Sequence, residues 1–176
     1  MADGDRRERF ERLFVELSPR VLGYALRRTD PEETRDVLAE TFTVAWTRLD
    51  RVPPGEEALP WLLAVARKVM ANRRRAADRR SRTTDRLAGA RTAVPDHAEA
   101  VAGLAELATA FATLSPKDRE TLALVSWDGL TPAEASTVAG CSAGAFSVRL
   151  HRARRRLAAL LDDPLQVTRR GSPGGA

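Results

Sequence analysis

Two helix starts and one forced turn fall within twelve residues, Thr131 to Ser142, and they leave this stretch little choice of fold. Thr131 suits a helix N-cap, Pro132 the first helical position, and Glu134 the reciprocal place in a capping box. Ala135, Val138 and Ala139 give the short helix an apolar side. Gly140 permits a tight turn, and Ser142 is a good cap for the helix that follows. On that second helix Phe146, Leu150, Ala153 and Leu157 recur at helical spacing and face inward. Arg149, Arg152, Arg154, Arg155 and Arg156 point elsewhere. Residues 115–156 therefore read as a helix-turn-helix running into an arginine block, the form of a DNA-reading element. The bland alternative is a helical hairpin with a solvated basic face.

The rest of the chain is also helical in pattern. Aromatics are only 5% of the 176 residues, so a core has to come from Leu, Val and Ala, which favours helices. Phe10, Leu13, Phe14, Leu17, Val21, Leu22, Ala25 and Leu26 mark a long amphipathic stretch. Ser18-Pro19 is expected to interrupt it and restart it as cap and first position. Asp30-Pro31-Glu32-Glu33 starts a further helix, whose buried stripe runs through Val37, Leu38, Thr41, Phe42, Ala45, Trp46 and Leu49. Residues 50–58 are expected to be irregular, because Pro53, Pro54 and Gly55 break both regular periods. Pro60 is expected to open a helix carrying Trp61, Leu62, Val65, Ala66, Val69 and Met70 on one side. Between about 78 and 102 large apolar residues become scarce, as in a flexible linker. Leu104, Leu107, Phe111 and Leu114 then resume a helical stripe, and Ser115-Pro116-Lys117-Asp118 caps the helix leading to Trp127. The expected fold is all-α, with two small helical domains over 5–77 and 103–162, a linker over 78–102 and a disordered tail over 163–176.

Charge is distributed in blocks. Residues 66–82 hold eight basic residues and one acid, and residues 149–176 hold seven and two. Segments 1–65 and 83–148 are both net acidic, although the whole chain is +5. Two compact basic blocks in an otherwise acidic protein fit two separate contacts with a polyanion. The single Cys141 excludes an internal disulfide and a multi-cysteine zinc site, and His97 and His151 have no ligand partners nearby in sequence. Nucleophile–base sets and glycine-rich phosphate loops are absent, so nothing argues for an enzyme or a cofactor. A charged N-terminus, MADGDRRERF, and the lack of a long apolar run point to a cytoplasmic protein with no membrane insertion.

The segments RDVLAETFTVAW and ALPWLLAVARKVMANRRR in the first lobe, and LSPKDRETLALVSWDGLTPAEA and SVRLHRARRRL in the second, resemble the sigma-70 family, specifically its extracytoplasmic-function group. The resemblance covers roughly residues 8–80 and 104–162. It implies an RNA polymerase sigma factor whose first lobe binds core polymerase and opens the −10 element. Its second lobe would read the −35 element of promoter DNA. An anti-sigma protein is a further partner the family implies.

The resemblance also nominates residues. Asp36, Glu40 and Thr43 would meet core polymerase; Asp36 and Glu40, four apart, share a helix face. Arg51, in the loop where the family captures an unstacked base, and Arg67, Lys68, Asn72, Arg73, Arg74 and Arg75 would hold the −10 strand. Ser142, Ser147, Arg149 and Arg152 would contact the −35 bases, with Arg154, Arg155 and Arg156 on phosphates. The chain departs from the family pattern at Ala39, where Gln is usual, at Lys68, where Asn is usual, and at Ala143, Ala145 and Ser147, all small here. Two other classes compete with this reading. A stand-alone helix-turn-helix regulator would need only the second lobe. A sigma-like interaction adaptor would explain the small residues on the reading helix.

Overall fold

The computed structural model describes residues 3–81 and 102–162 and divides the chain into two compact units, Met1–Ala93 and Val94–Ala176. All regular structure among the described residues is helical. Most of the expected linker, and all of the expected tail over 163–176, lie outside the described residues.

The first unit packs α1 (Asp3–Leu26), α2 (Pro31–Thr47) and α3 (Ala58–Ser81) against one another. Val21, Tyr24 and Ala25 of α1, Val37, Phe42 and Ala45 of α2, and Leu62, Leu63 and Ala66 of α3 are buried together as its core. Burying this much apolar surface is what holds three helices of modest intrinsic propensity. A second cluster forms where α1 meets α2. Phe14 packs edge-on to Phe42 at 4.8 Å, and Phe10 edge-on to Trp46 at 5.1 Å.

Four expectations are corrected here. Ser18-Pro19 does not break the first helix; α1 runs through it as one 24-residue element. Proline removes the donor for the Val15 carbonyl, but Pro19 and Val15 are both exposed, so water can take the missing bond. The third helix opens at Ala58, two residues before Pro60, which the first turn accommodates because its N–H groups have no intrahelical acceptor. Residues 50–58 are not wholly irregular: short 3₁₀ turns form at Leu49–Arg51 and Gly55–Glu57. α3 also extends to Ser81, into the stretch read as linker.

In the second unit α4 (Ala102–Thr113) packs on α7 (Ala143–Asp162), and α5 (Pro116–Ser126) and α6 (Pro132–Ala139) pack on each other and on α7. Ala110, Phe111, Leu114, Leu122, Leu124, Val138, Phe146 and Leu150 are buried. Leu104 and Leu107 are not, contrary to the expected stripe. α4 buries its C-terminal half only, where Phe111 also stacks on Trp127 at 4.7 Å.

Candidate nucleic-acid interface and acidic contact face

On α2 the carboxylates of Glu33, Asp36 and Glu40 stand three and four residues apart and so share one face. All three converge on a single cation from the neighbouring helix. Arg73 of α3 lies 2.6 Å from Asp36, 3.3 Å from Glu33 and 3.5 Å from Glu40. Burial alone would lower the Arg73 pKa, but the hydrogen bond and charge of Asp36, then those of Glu33, reverse this and raise it above its ordinary value. The guanidinium therefore stays charged at any accessible pH. Thr43, the other residue nominated on this face, is exposed, and its hydroxyl donates to the Ala39 carbonyl at 2.8 Å.

Arg73 was expected among the strand-binding residues, yet the structure holds it on the acidic face. Its position in the helix explains this. Arg73 is seven residues beyond buried Ala66 and three beyond buried Met70, so it continues the inward stripe of α3. Lys68, Asn72, Arg74 and Arg75 are exposed, as is Arg67. Asn72 accepts a hydrogen bond from Arg75 through its Oδ1 atom.

The turn between α2 and α3 is fixed from below. Leu49, Val52 and Ala58 are buried. Arg9 of α1 donates to the Val52 carbonyl at 2.7 Å, and Arg6 donates to the Trp46 carbonyl at 2.7 Å while lying 5.2 Å from the Trp46 ring. Arg6 also pairs with Asp50 at 3.5 Å. Sequence reading missed Arg6 and Arg9, whose acceptors lie some forty residues away. The crest carries Arg51, Gly55, Glu56 and Glu57, all exposed. Arg48 and Arg51 are the exposed cations of this turn, beside the exposed carboxylates of Asp50, Glu56 and Glu57, which disfavour phosphate.

In the second unit the turn chemistry is as the sequence specified. Thr131 N–H donates to Glu134 at 2.7 Å, and Glu134 N–H donates to the Thr131 hydroxyl at 3.3 Å, completing the capping box. Gly140 adopts φ 68°, a left-handed conformation only glycine takes cheaply, and Cys141 N–H closes the turn on the Ser136 carbonyl at 3.1 Å. Ser142 caps α7 by accepting from Ala145 N–H at 3.2 Å. Phe146, Leu150 and Ala153 are buried and fix how α7 is rotated about its axis.

That rotation sorts the nominated residues. Ser147, Arg152, Arg154 and Arg155 are exposed, whereas Arg149, three residues from Phe146, is half-buried at the edge of the packed face. The Ser147 hydroxyl donates to the Ala143 carbonyl at 2.9 Å. Arg156, expected on phosphate, instead pairs at 2.7 Å with the buried carboxylate of Asp118 on α5, which also accepts from the Ser115 hydroxyl at 2.8 Å. Val148, not singled out from the sequence, projects from the exposed side of α7. Among the described residues no cluster of His, Cys, Asp or Glu is arranged to hold a metal ion, and no helix is long and apolar enough to cross a membrane.

Comparison with known proteins places both units. A model of sigma-70 region 2 matches residues 13–80, and a model of sigma-70 region 4 matches residues 104–157. The chain is 36% identical over 138 residues to the ECF RNA polymerase sigma factor SigC of Mycobacterium tuberculosis, spanning 74% of this chain and 71% of that one. It is 32% identical to the RNA polymerase sigma factor CarQ of Myxococcus xanthus, across 91% and 94% of the two chains. Among solved structures, the sigma factor RpoE from Bartonella quintana in complex with the anti-sigma factor NepR shares the fold, with a TM-score of 0.68 at 24% identity over 88% of this chain and 97% of that one. CnrH, in complex with the cytosolic domain of CnrY, gives a TM-score of 0.55 at 26% identity over 87% of each chain. With two sigma regions in order, on folds that present one acidic and two basic surfaces, the chain belongs to the extracytoplasmic-function group of sigma-70 RNA polymerase sigma factors, which act in transcription initiation.

Proposed function

We propose that the chemistry of initiation is divided among the three surfaces. The acidic face of α2, with Asp36, Glu40 and Thr43, meets a basic surface of core polymerase. The turn crest with Arg51 and the outward row of α3, Arg67, Lys68, Asn72, Arg74 and Arg75, hold the opened −10 strand. Arg73 stays with the acids and orders them for the polymerase. α7 lies in duplex DNA at the −35 element; Arg152, expected on a base, joins Arg154 and Arg155 toward the phosphates, because it stands ten residues past the Ser142 cap, beyond the first turns that enter the groove.

One observation carries this reading. α7 is sealed to its lobe along Phe146, Leu150 and Ala153 while its arginines at 152, 154 and 155 are exposed. A helix docked this way can insert its first turns into a groove and neutralise phosphate with the rest. The protein acts in the cytoplasm as a binding subunit and not as an enzyme, leaving bond formation to the polymerase. An anti-sigma protein is its inhibitory partner. The exposed Phe14, Trp46, Leu104 and Trp127 supply apolar surface of the kind such a partner covers.

Transcription in vitro with core polymerase, with and without the protein, tests the reading on a promoter library from the same genome. Transcripts that start only when both components are present are expected. Duplex binding at unchanged strength without polymerase would instead indicate a stand-alone regulator. Binding should also fall steeply with salt, and Arg154→Ala with Arg155→Ala should flatten the slope of log K against log salt by up to about two units.

A further inference from the structure

The reading face of α7 is almost empty of hydrogen-bonding side chains. Its exposed residues from 143 to 148 are Ala143, Gly144, Ala145, Ser147 and Val148. The two serines at this end, Ser142 and Ser147, are already bonded to the helix itself, through Ala145 N–H and the Ala143 carbonyl. Gly144 is not needed by the lobe. Its φ is not positive, and a Cβ built there would meet nothing within 4 Å. Glycine inside a helix nevertheless costs about 1 kcal/mol relative to alanine. A smooth, low surface at this point makes sense if something outside the lobe has to come close.

Val148 stands on that surface. It is two residues from buried Phe146 and two from buried Leu150, so it points away from the core, and it is 52% exposed. It is the longest apolar side chain on this face, and Arg152 and Arg155 follow at one and two turns along the same side. In the major groove an apolar side chain recognises one feature, the C5-methyl group of thymine.

We propose that Val148 is a specificity-determining residue of the −35 contact and reads the methyl group of a thymine, with Gly144 and Ala145 letting the helix approach closely enough for that contact. The inference rests on α7 being the −35 helix and adds what that helix discriminates. Arginines at 152 and 155 anchor the backbone, and Val148 supplies sequence preference without a hydrogen bond.

The test uses the full chain bound to core polymerase and a duplex pool randomised upstream of a fixed −10 region. Selected duplexes are then remade with each upstream thymine replaced by uracil, which removes only the C5-methyl. At one thymine the parent is expected to lose about fourfold in affinity, as burial of one methyl group is worth about 0.8 kcal/mol and tenfold is 1.4. Val148→Ala should bind the thymine duplex more weakly and show almost no uracil penalty at that position. Phosphate contacts, and hence the salt slope, should be the same in both proteins. If no thymine methyl matters to the parent, or if the penalty survives unchanged in Val148→Ala, the proposal is overturned. Failure of the holoenzyme to enrich any upstream sequence would overturn the −35 reading itself, and this inference with it.

Discussion

α3 and α7 are both basic helices, and in each an arginine pairs with carboxylates of its own lobe. Arg73 meets Glu33, Asp36 and Glu40; Arg156 meets Asp118. The acids differ in their surroundings. The Asp118 side chain is 6% exposed, whereas those of Asp36 and Glu40 are 64% and 45% exposed. A buried carboxylate has lost its water and depends on its partner, so Arg156 is held to joining α5 and α7. Exposed carboxylates keep their water and can exchange one cation for another. A run of arginines is thus not one binding surface: the burial of the facing acid decides which members serve the fold and which can serve a partner.

The largest effect should come from breaking the pair with the buried acid. Arg156→Ala leaves Asp118 with only Ser115 for a partner. The full penalty for orphaning a buried charge is discounted here because the arginine end of the pair is exposed, giving about 2 kcal/mol. Hydrogen exchange of the α5 and α7 amides should accelerate roughly thirtyfold, at tenfold per 1.4 kcal/mol. Asp118→Asn in the same chain should recover part of the loss, because the remaining side chain is neutral. Unchanged exchange in Arg156→Ala would remove the distinction between the two arginines.

Reversing the exchangeable face is the next test. Asp36→Lys with Glu40→Lys should weaken core polymerase binding at least tenfold, in line with the cost of like charges across an interface. The fold should persist, since both positions are exposed. Binding as tight as the parent's would remove this face from the polymerase contact.

Much of this is legible in the sequence. The caps at Ser115, Thr131 and Ser142 and the left-handed Gly140 depend on residues within a few positions of one another, where spacing decides the geometry. Arg73 was readable in principle, because counting by sevens from Ala66 puts it on the inward stripe, but membership in a basic block hid that. The Arg156–Asp118 pair spans 38 residues, and the Arg9 bond to Val52 spans 43; no local pattern encodes either. α4 shows a third limit. Periodicity reveals that Leu104, Leu107, Phe111 and Leu114 share a side, yet only packing against α7 determines that the last two are buried. Val148 escaped notice for a related reason. A single apolar residue between serine and arginine carries no signal until the helix rotation is known.

The smallest effect is expected from Arg73→Ala, and its smallness is informative. Three ion pairs converge on this residue, which on a simple count would make it the more important arginine of the two. But the carboxylates it leaves behind remain hydrated, and exposed pairs contribute about 0.2–1 kcal/mol each at most and do not add when one cation is shared. The α2 and α3 amides should exchange about two- to threefold faster, and 0.5 M salt should erase the difference by screening the same pairs in the parent. A thirtyfold acceleration, or one that persists in salt, would show that the fold depends on Arg73 no less than on Arg156. The acidic face would then be structural, and the polymerase contact would have to lie elsewhere on the lobe.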